Sequence, residues 1–212
     1  MKTTVVVGTI VAVMIVIVLS GGCHSWDHDK SIKGIEYKRV RKETVGSESI
    51  RIGQLKNDVE IDGRTYTGWL HRREDDSISG GMIASDTVID GITVPAKTWV
   101  SFDNDSRLTA CHFPGNQTIQ EHVCLGTGGG VKGATVKFYP GGRLRLFFSP
   151  TDVTVQGIPC KGGLFKYIGL HESGGLKRCT LSKGATIGGK DLPKGTAIEL
   201  DESGKLCSTS SH

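Results

Sequence analysis

Residues 91–108, GITVPAKTWVSFDNDSRL, decide the fold of this chain because residues 189–206, GKDLPKGTAIELDESGKL, repeat their pattern. Both stretches run from a glycine, through an apolar residue before a proline, to an alternating strand, a polar turn, a basic residue and a leucine. Alternation of apolar and polar residues indicates a half-buried β-strand, and Asp, Asn, Ser and Gly favour the turn between two strands. Each stretch therefore predicts a β-hairpin, with its first strand at residues 99–102 or 197–200.

Looser copies of the same pattern occur at residues 61–78, 136–144 and 157–176, which makes the body of the chain a repeat array. The apolar residues that close the five copies are 30, 36, 32 and 30 residues apart: Ile78, Leu108, Leu144, Leu176 and Leu206. A single hairpin cannot bury its apolar face, whereas stacked hairpins share a core. We therefore predict an all-β body over residues 50–212, built of stacked β-hairpin repeats. They form a β-solenoid or a long twisted antiparallel sheet, with a closed barrel as the alternative.

The turn and strand of one copy, FYPGGRL at residues 138–144, resemble MORN-type repeats. In that family, glycine-containing hairpins stack into an elongated sheet. The resemblance covers about a third of each copy and implies an architecture, not a function.

A glycine-rich stretch at residues 125–135, LGTGGGVKGAT, matches the spacing of a dinucleotide-binding turn through Gly128, Gly130 and Gly133. That turn needs a strand before it and a helix after it, because the helix N-terminus holds the pyrophosphate. Here a predicted strand and a Pro-Gly-Gly turn follow. The stretch is therefore predicted to be a connector, and no cofactor is expected.

The first 25 residues describe a secretory signal: Met1-Lys2, an apolar core at residues 5–19, and small residues before Cys23. Residues 19–23, LSGGC, resemble the lipobox of bacterial lipoproteins. The resemblance implies cleavage after residue 22, a diacylglycerol on the Cys23 sulfur and an acyl group, palmitate for example, on its new amino group. An uncleaved helical anchor and a soluble secreted form are the alternatives. All three readings place the body outside the cytoplasm.

Residues 23–49 are polar and weakly patterned, which predicts a flexible basic linker. Its cations, Lys38, Arg39, Arg41 and Lys42, would lie close enough to the anchor to contact anionic headgroups. A solvated linker without such contacts is the simpler interpretation. The net charge of +4 is spread evenly and does not favour nucleic acid as a partner.

With Cys23 lipidated, five cysteines remain: Cys111, Cys124, Cys160, Cys179 and Cys207. Disulfides are expected outside the cytoplasm, and the local pairs are Cys111–Cys124 and Cys160–Cys179, which leave Cys207 unpaired. The alternative is that Cys111 and Cys179, each three residues after a closing leucine, are free thiols in the core.

The stretch CHFPGNQTIQEHVC at residues 111–124 has Cys and His at both ends, a ligand set that suits zinc. Adjacent residues of a strand point to opposite faces, however, so each Cys-His pair would not aim both side chains inward. We therefore predict no metal site. Nor does any histidine accompany a recognisable nucleophile motif, so no catalytic residue is predicted and a hydrolase is the least favoured class.

These patterns together predict a cell-envelope lipoprotein with a structural or protein-interaction role, attached to the cell membrane or the outer membrane through an N-terminal lipid or helix. A small-ligand or metal-binding envelope protein on the same scaffold is the alternative.

Overall fold

The computed structural model describes residues 25–129 and 133–210, and this part of the chain contains strands and turns but no helix. The predicted all-β class is confirmed. Most strands belong to one antiparallel sheet, the long sheet. In spatial order it comprises β1 (Asp27–Ile32), β2 (Ile35–Val45), β3 (Glu48–Leu55), β5 (Arg64–Arg73), β6 (Ile78–Ile83), β9 (Trp99–Phe102), β10 (Leu108–His112), β13 (Thr135–Phe138), β14 (Leu144–Phe148), β17 (Tyr167–Leu170), β18 (Leu176–Thr180), β21 (Ala197–Leu200) and β22 (Leu206–Ser210), and β4 (Val59–Ile61) pairs with β5. The sheet is not closed, so the barrel alternative is wrong.

The predicted repeats appear as successive hairpins of the long sheet, and their connecting turns share one hydrogen-bond pattern. In each turn the amide of the fourth residue donates to the carbonyl of the first, and the fourth residue has positive φ. The pairs are Asp76–Arg73, Ser106–Asp103, Gly142–Tyr139, Gly174–His171 and Gly204–Asp201. In four of the five this is a type I turn followed by a left-handed residue and a β-bulge, a common hairpin connection. In the Tyr139–Gly142 turn, Gly141 also has positive φ, which makes it a type II turn. Because the fourth residue has positive φ, glycine or a small polar residue such as Asp or Ser is found there.

A second, smaller hairpin precedes each of the last four long-sheet hairpins, and the sequence pattern does not predict it. These four small hairpins are β7 (Thr87–Ile89) with β8 (Ile92–Val94), β11 (Gln117–Ile119) with β12 (His122–Cys124), β15 (Val153–Val155) with β16 (Ile158–Cys160), and β19 (Ala185–Ile187) with β20 (Lys190–Leu192). Both residues of every connecting turn have positive φ, for example Asp90 and Gly91. That geometry is a type I′ turn, whose twist matches the flanking strands.

The small hairpins form a second layer beneath one face of the long sheet, the covered face. Their inward residues, such as Ile89 and Val155, join the covered face of the sheet in one hydrophobic cluster. Turn side chains connect the two layers: Gln120 accepts a hydrogen bond from the Leu144 amide at 3.0 Å and donates one to the Gly142 carbonyl at 2.9 Å. The core therefore lies between the two layers.

The prediction of a flexible linker over residues 23–49 is wrong for the part that the structure describes. Residues 27–45 form β1 and β2, and the turn between them contacts the turn between β5 and β6. Lys33 and Arg51 form ion pairs with Asp76, the latter at 3.0 Å. Hydrogen bonds from Lys33 and Arg51 lower the pKa of Asp76 to about 2. The repeat domain therefore begins before residue 50.

Two glycines let aromatic rings lie flat on the covered face. A Cβ on Gly53 would lie 2.3 Å from the Tyr37 ring, and a Cβ on Gly81 would lie 2.6 Å from the Tyr66 ring. Both tyrosines are 1% exposed. Because Gly53 and Gly81 have no side chain, the two tyrosine rings can pack directly against the backbone of the sheet.

Candidate functional site

The second face of the long sheet, the open face, is the candidate site because the small hairpins do not cover it. The register shows the contrast across neighbouring strands. Val100, Cys111 and Val136 form one row on the covered face, and each is 0% exposed. The next row, Ser101, Ala110 and Lys137, is partly or fully exposed. Alternation along the strands therefore gives the sheet one apolar face and one face of mixed chemistry.

Aromatic side chains run across the first strands of the open face. The rings of Trp26 and Trp69 are tilted, with centroids 5.7 Å apart. His71, two residues after Trp69 on β5, packs edge-on against Trp99 with centroids 4.7 Å apart. Aromatic rings at such separations attract one another, so these four side chains form two aromatic pairs on the same face, the aromatic row.

The histidine of this row is uncharged at neutral pH. Burial disfavours the imidazolium and lowers the pKa of His71 from 6.5 to about 4. His71 therefore contributes a neutral, polar ring to the open face.

Cationic side chains lie among these rings and farther along the open face. The Arg39 guanidinium carbon lies 5.0 Å from the Trp26 ring centroid and 5.1 Å from that of Trp69. Farther along, Arg178 lies over the Tyr167 ring at 5.5 Å. Cations over aromatic faces are attracted by the ring quadrupole. The open face therefore has aromatic and positive groups in contact both at its first strands and farther along.

Two clefts occur along the middle strands. One, of about 340 Å³, is lined by residues that include Lys137, Arg145 and Asp103. The other, of about 430 Å³, lies between Phe148 and Leu164. Phe165, beside the second cleft, is 88% exposed. Its neighbour Leu164 is 45% exposed, so the two side chains form a small apolar patch at this cleft.

The structure brings each predicted cysteine pair together. The Cys179 thiol is in hydrogen-bond contact with Cys160, which together with burial raises its pKa. Burial raises the pKa of Cys111, with a smaller contribution from Cys124, and burial raises the pKa of Cys124 to about 12. All four are buried free thiols in this structure, not at bonding distance. Each pair joins a small hairpin to the long sheet, and Cys207 is exposed.

The two histidines near the first cysteine pair do not join it. His112 forms a hydrogen bond with Thr135, 3.0 Å between Nε2 and Oγ1, while neighbouring Cys111 is in the core. The His122 ring lies against Phe147 with centroids 4.9 Å apart. Within residues 25–129 and 133–210, no group of three His, Cys, Asp or Glu side chains is placed to hold a metal ion.

Several sequence predictions concern residues outside or at the border of the described parts. The signal segment and Cys23 lie outside the described residues. The glycine-rich stretch is described on either side of residues 130–132, and it leads from β12 into strand β13. Over the described residues, no helix is long and apolar enough to cross a bilayer.

Comparison with known proteins gives no relative: no family model, no curated protein and no solved structure matches the chain. The fold and the open face therefore define the protein by architecture alone, as a repeat protein with one long antiparallel sheet and a second layer of small hairpins.

Sequence reasoning missed the aromatic row of the open face. Its only signal was the presence of Trp69 and His71 two residues apart, and of Trp99 in the next copy. Residues two apart share a face of a strand, but the pattern does not tell which face a second layer covers.

Proposed function

We propose that this chain is a cell-envelope protein, tethered to the cell membrane or outer membrane through Cys23, that binds another envelope component through the open face of the long sheet. The lipobox-like segment and the apolar core before it support the tether. The observation that carries the binding role is the later part of the open face, where Lys137 is exposed and Arg178 lies over the Tyr167 ring, on a sheet whose other face is covered.

The composition of this face is that of an interaction surface. Aromatic residues and arginine are enriched in protein interfaces because they offer large contact areas and several hydrogen-bond donors. The strands present these groups from a rigid scaffold, which lowers the entropy lost on binding. A structural or interaction role outside catalysis therefore fits the face best.

Site-specific photo-crosslinking in the native cells tests this proposal. The cross-linking residue replaces Lys137, which is exposed on the open face, or Thr154, which is exposed on the outer side of a small hairpin. We expect a discrete adduct from position 137 and none from position 154. Equal labelling at both positions, or none at either, would contradict the assigned face. Turnover of an envelope substrate by the purified protein would contradict the non-catalytic role.

We also propose that Cys111–Cys124 and Cys160–Cys179 form disulfides once the body reaches an oxidising compartment. Each bridge would form when two thiols lose two protons and pass two electrons to the disulfide of an oxidoreductase. Loops of this length gain about 3 kcal/mol from a bridge, largely by restricting the unfolded chain. The pairing fits because each bridge would bind one small hairpin to the long sheet.

Thiol counting tests the bridges. The chain purified from native membranes is unfolded in denaturant and alkylated, either directly or after reduction. We expect four additional alkylated thiols after reduction and two additional ones in a Cys124→Ser variant. Equal alkylation before and after reduction would show that all four are free thiols in the cell.

A further inference from the structure

Four side chains at the first strands of the open face form the Trp26 cluster: Trp26, Arg39, Arg41 and Trp69. The Arg39 guanidinium carbon lies about 5 Å from the centroids of both indole rings, and Arg41 lies over Trp26 at 4.4 Å. All four are partly exposed. The register explains the grouping because Arg39 pairs with Gln54 and Gln54 pairs with Trp69 across three strands.

The cluster has positive charge that the protein does not neutralise completely. Arg41 forms an ion pair with Glu43. Arg39 donates to the Gln54 side chain at 3.1 Å, and no carboxylate of the described residues pairs with it. A guanidinium has five N–H donors, so Arg39 retains donors for an external anion.

The position of the cluster along the chain indicates which anion it meets. Trp26 follows Cys23 by three residues, and three residues span at most about 10 Å. The first strand begins at Asp27, so no long linker separates Trp26 from the sheet. Only two residues separate Trp26 from the attachment point. A lipid on Cys23 would hold the indoles close to the bilayer surface.

The chemistry of the cluster matches that surface. Tryptophan is enriched at membrane interfaces, where its ring lies among headgroups and its N–H finds a polar partner. Arginine recognises phosphate through paired hydrogen bonds, and juxtamembrane cations are attracted to anionic lipids. We propose that the Trp26 cluster seats the protein on a bilayer that contains anionic phospholipids. This inference rests on the proposed membrane tether and adds the orientation of the body to it.

Tryptophan quenching in vesicles tests the inference. The full chain, purified from membranes, is reconstituted into phosphatidylcholine vesicles with brominated acyl chains, with or without phosphatidylglycerol. Bromine close to the headgroups quenches indoles at the interface. Trp99 is 3% exposed and serves as the internal background. We expect quenching that falls by about half in Trp26→Phe or Trp69→Phe, because two rings share the interfacial position.

Arginine variants provide the matched comparison. Arg39→Gln is expected to reduce quenching in vesicles with phosphatidylglycerol but not in neutral ones. Arg145→Gln removes a cation that lies over Tyr139, farther along the sheet, and is expected to change nothing. Circular dichroism identifies any variant that fails to fold, and Arg39→Gln then remains as a test that leaves both indoles in place.

The outcomes separate this inference from the proposed function. Protein that floats with the vesicles but shows no quenching, or quenching that none of the cluster variants changes, would refute the seating while the tether stands. Protein that does not float with the vesicles would refute both. A fluorescence response to a soluble anionic polysaccharide, but not to vesicles, would assign the cluster to a glycan and refute the seating.

Discussion

Gly53 shows how a missing side chain shapes the core. The Tyr37 ring occupies the space that a Cβ at this position would take, at 2.3 Å. We expect Gly53→Ala to lower the free energy of unfolding by about 1–3 kcal/mol, the usual cost of overpacking a filled core. Urea denaturation followed by circular dichroism measures the change.

Gly115→Ala is the matched control for Gly53→Ala. Gly115 has no heavy atom within 4 Å of an added Cβ and no positive φ. Alanine there is expected to be neutral or slightly stabilising because it restricts the unfolded chain. Equal losses in the two variants would show that Tyr37 does not depend on Gly53.

His71 is expected to make stability depend on pH. Its pKa is lowered by burial to about 4 in the folded protein, from 6.5 when solvated. The unfolded state therefore binds a proton first as the pH falls. The resulting stabilisation is complete above pH 6.5 and is lost between about pH 6.5 and pH 4, for a total on the order of 3 kcal/mol.

The His71→Phe variant isolates this effect, because phenylalanine keeps a ring beside Trp99 but does not titrate. Denaturation of both proteins between about pH 7 and pH 4 is expected to show a smaller decline in the variant. His122, whose pKa is also lowered by burial, is present in both and cancels. Identical declines would assign the pH dependence to other groups.

At the scale of secondary structure, the turns of three small hairpins carry the side chains that join the two layers. Gln120 makes two hydrogen bonds to the Gly142–Leu144 segment, and Asp90 and Gln156 accept from Leu108 and Leu176 in the same way. Gly188 occupies this place in the last copy and has no side chain to contribute. This hydrogen bond between the layers therefore recurs in the second, third and fourth copies.

Gln120→Gly tests this connection between the layers, with Glu121→Gly as its control. Both residues have positive φ, so glycine relieves the same backbone cost at each. Only Gln120→Gly removes the interlayer hydrogen bonds. We expect it to be less stable than Glu121→Gly by about 1–3 kcal/mol in chemical denaturation. A difference near zero would mean that apolar contacts alone hold the layers together.

The elements differ in how far the sequence predicts them. The turns DNDS, PGG and DESG revealed the long-sheet hairpins, and the strands at 99–102 and 197–200 were predicted to the residue. The small hairpins were missed because their strands have three residues and one of their turns is Gln-Glu, which is not a typical type I′ pair. Strand β2 was missed because a bulge between Tyr37 and Arg39 interrupts its alternation.

The candidate site was harder to predict than the fold. Loop spacing along the chain sufficed to propose which cysteines lie together. The contacts of Trp26 with Trp69 and of His71 with Trp99 cross several strands. They depend on the order of strands in the sheet, which no single copy of the pattern encodes.

For the whole molecule, the testable quantity is the mass of the chain in its native membrane. If the lipobox-like segment at residues 19–23 directs cleavage, as we propose, the protein is expected to start at Cys23 and to carry the mass of its acyl chains. A Cys23→Ala variant is expected to keep residues 1–22 and to lose the added mass. An unmodified full-length mass for the unaltered protein would instead indicate an uncleaved anchor.

Because the long sheet is open at both edges, its extent across the strands depends on the number of copies. Each further copy would add two strands, or about 10 Å, without disturbing the others, since each copy contacts only its neighbours. The thirteen strands in sequence extend at most about 60 Å across the sheet. A chain attached at its first strand would therefore hold its last strand at a distance from the attachment point that duplication or deletion of a copy would change in fixed steps.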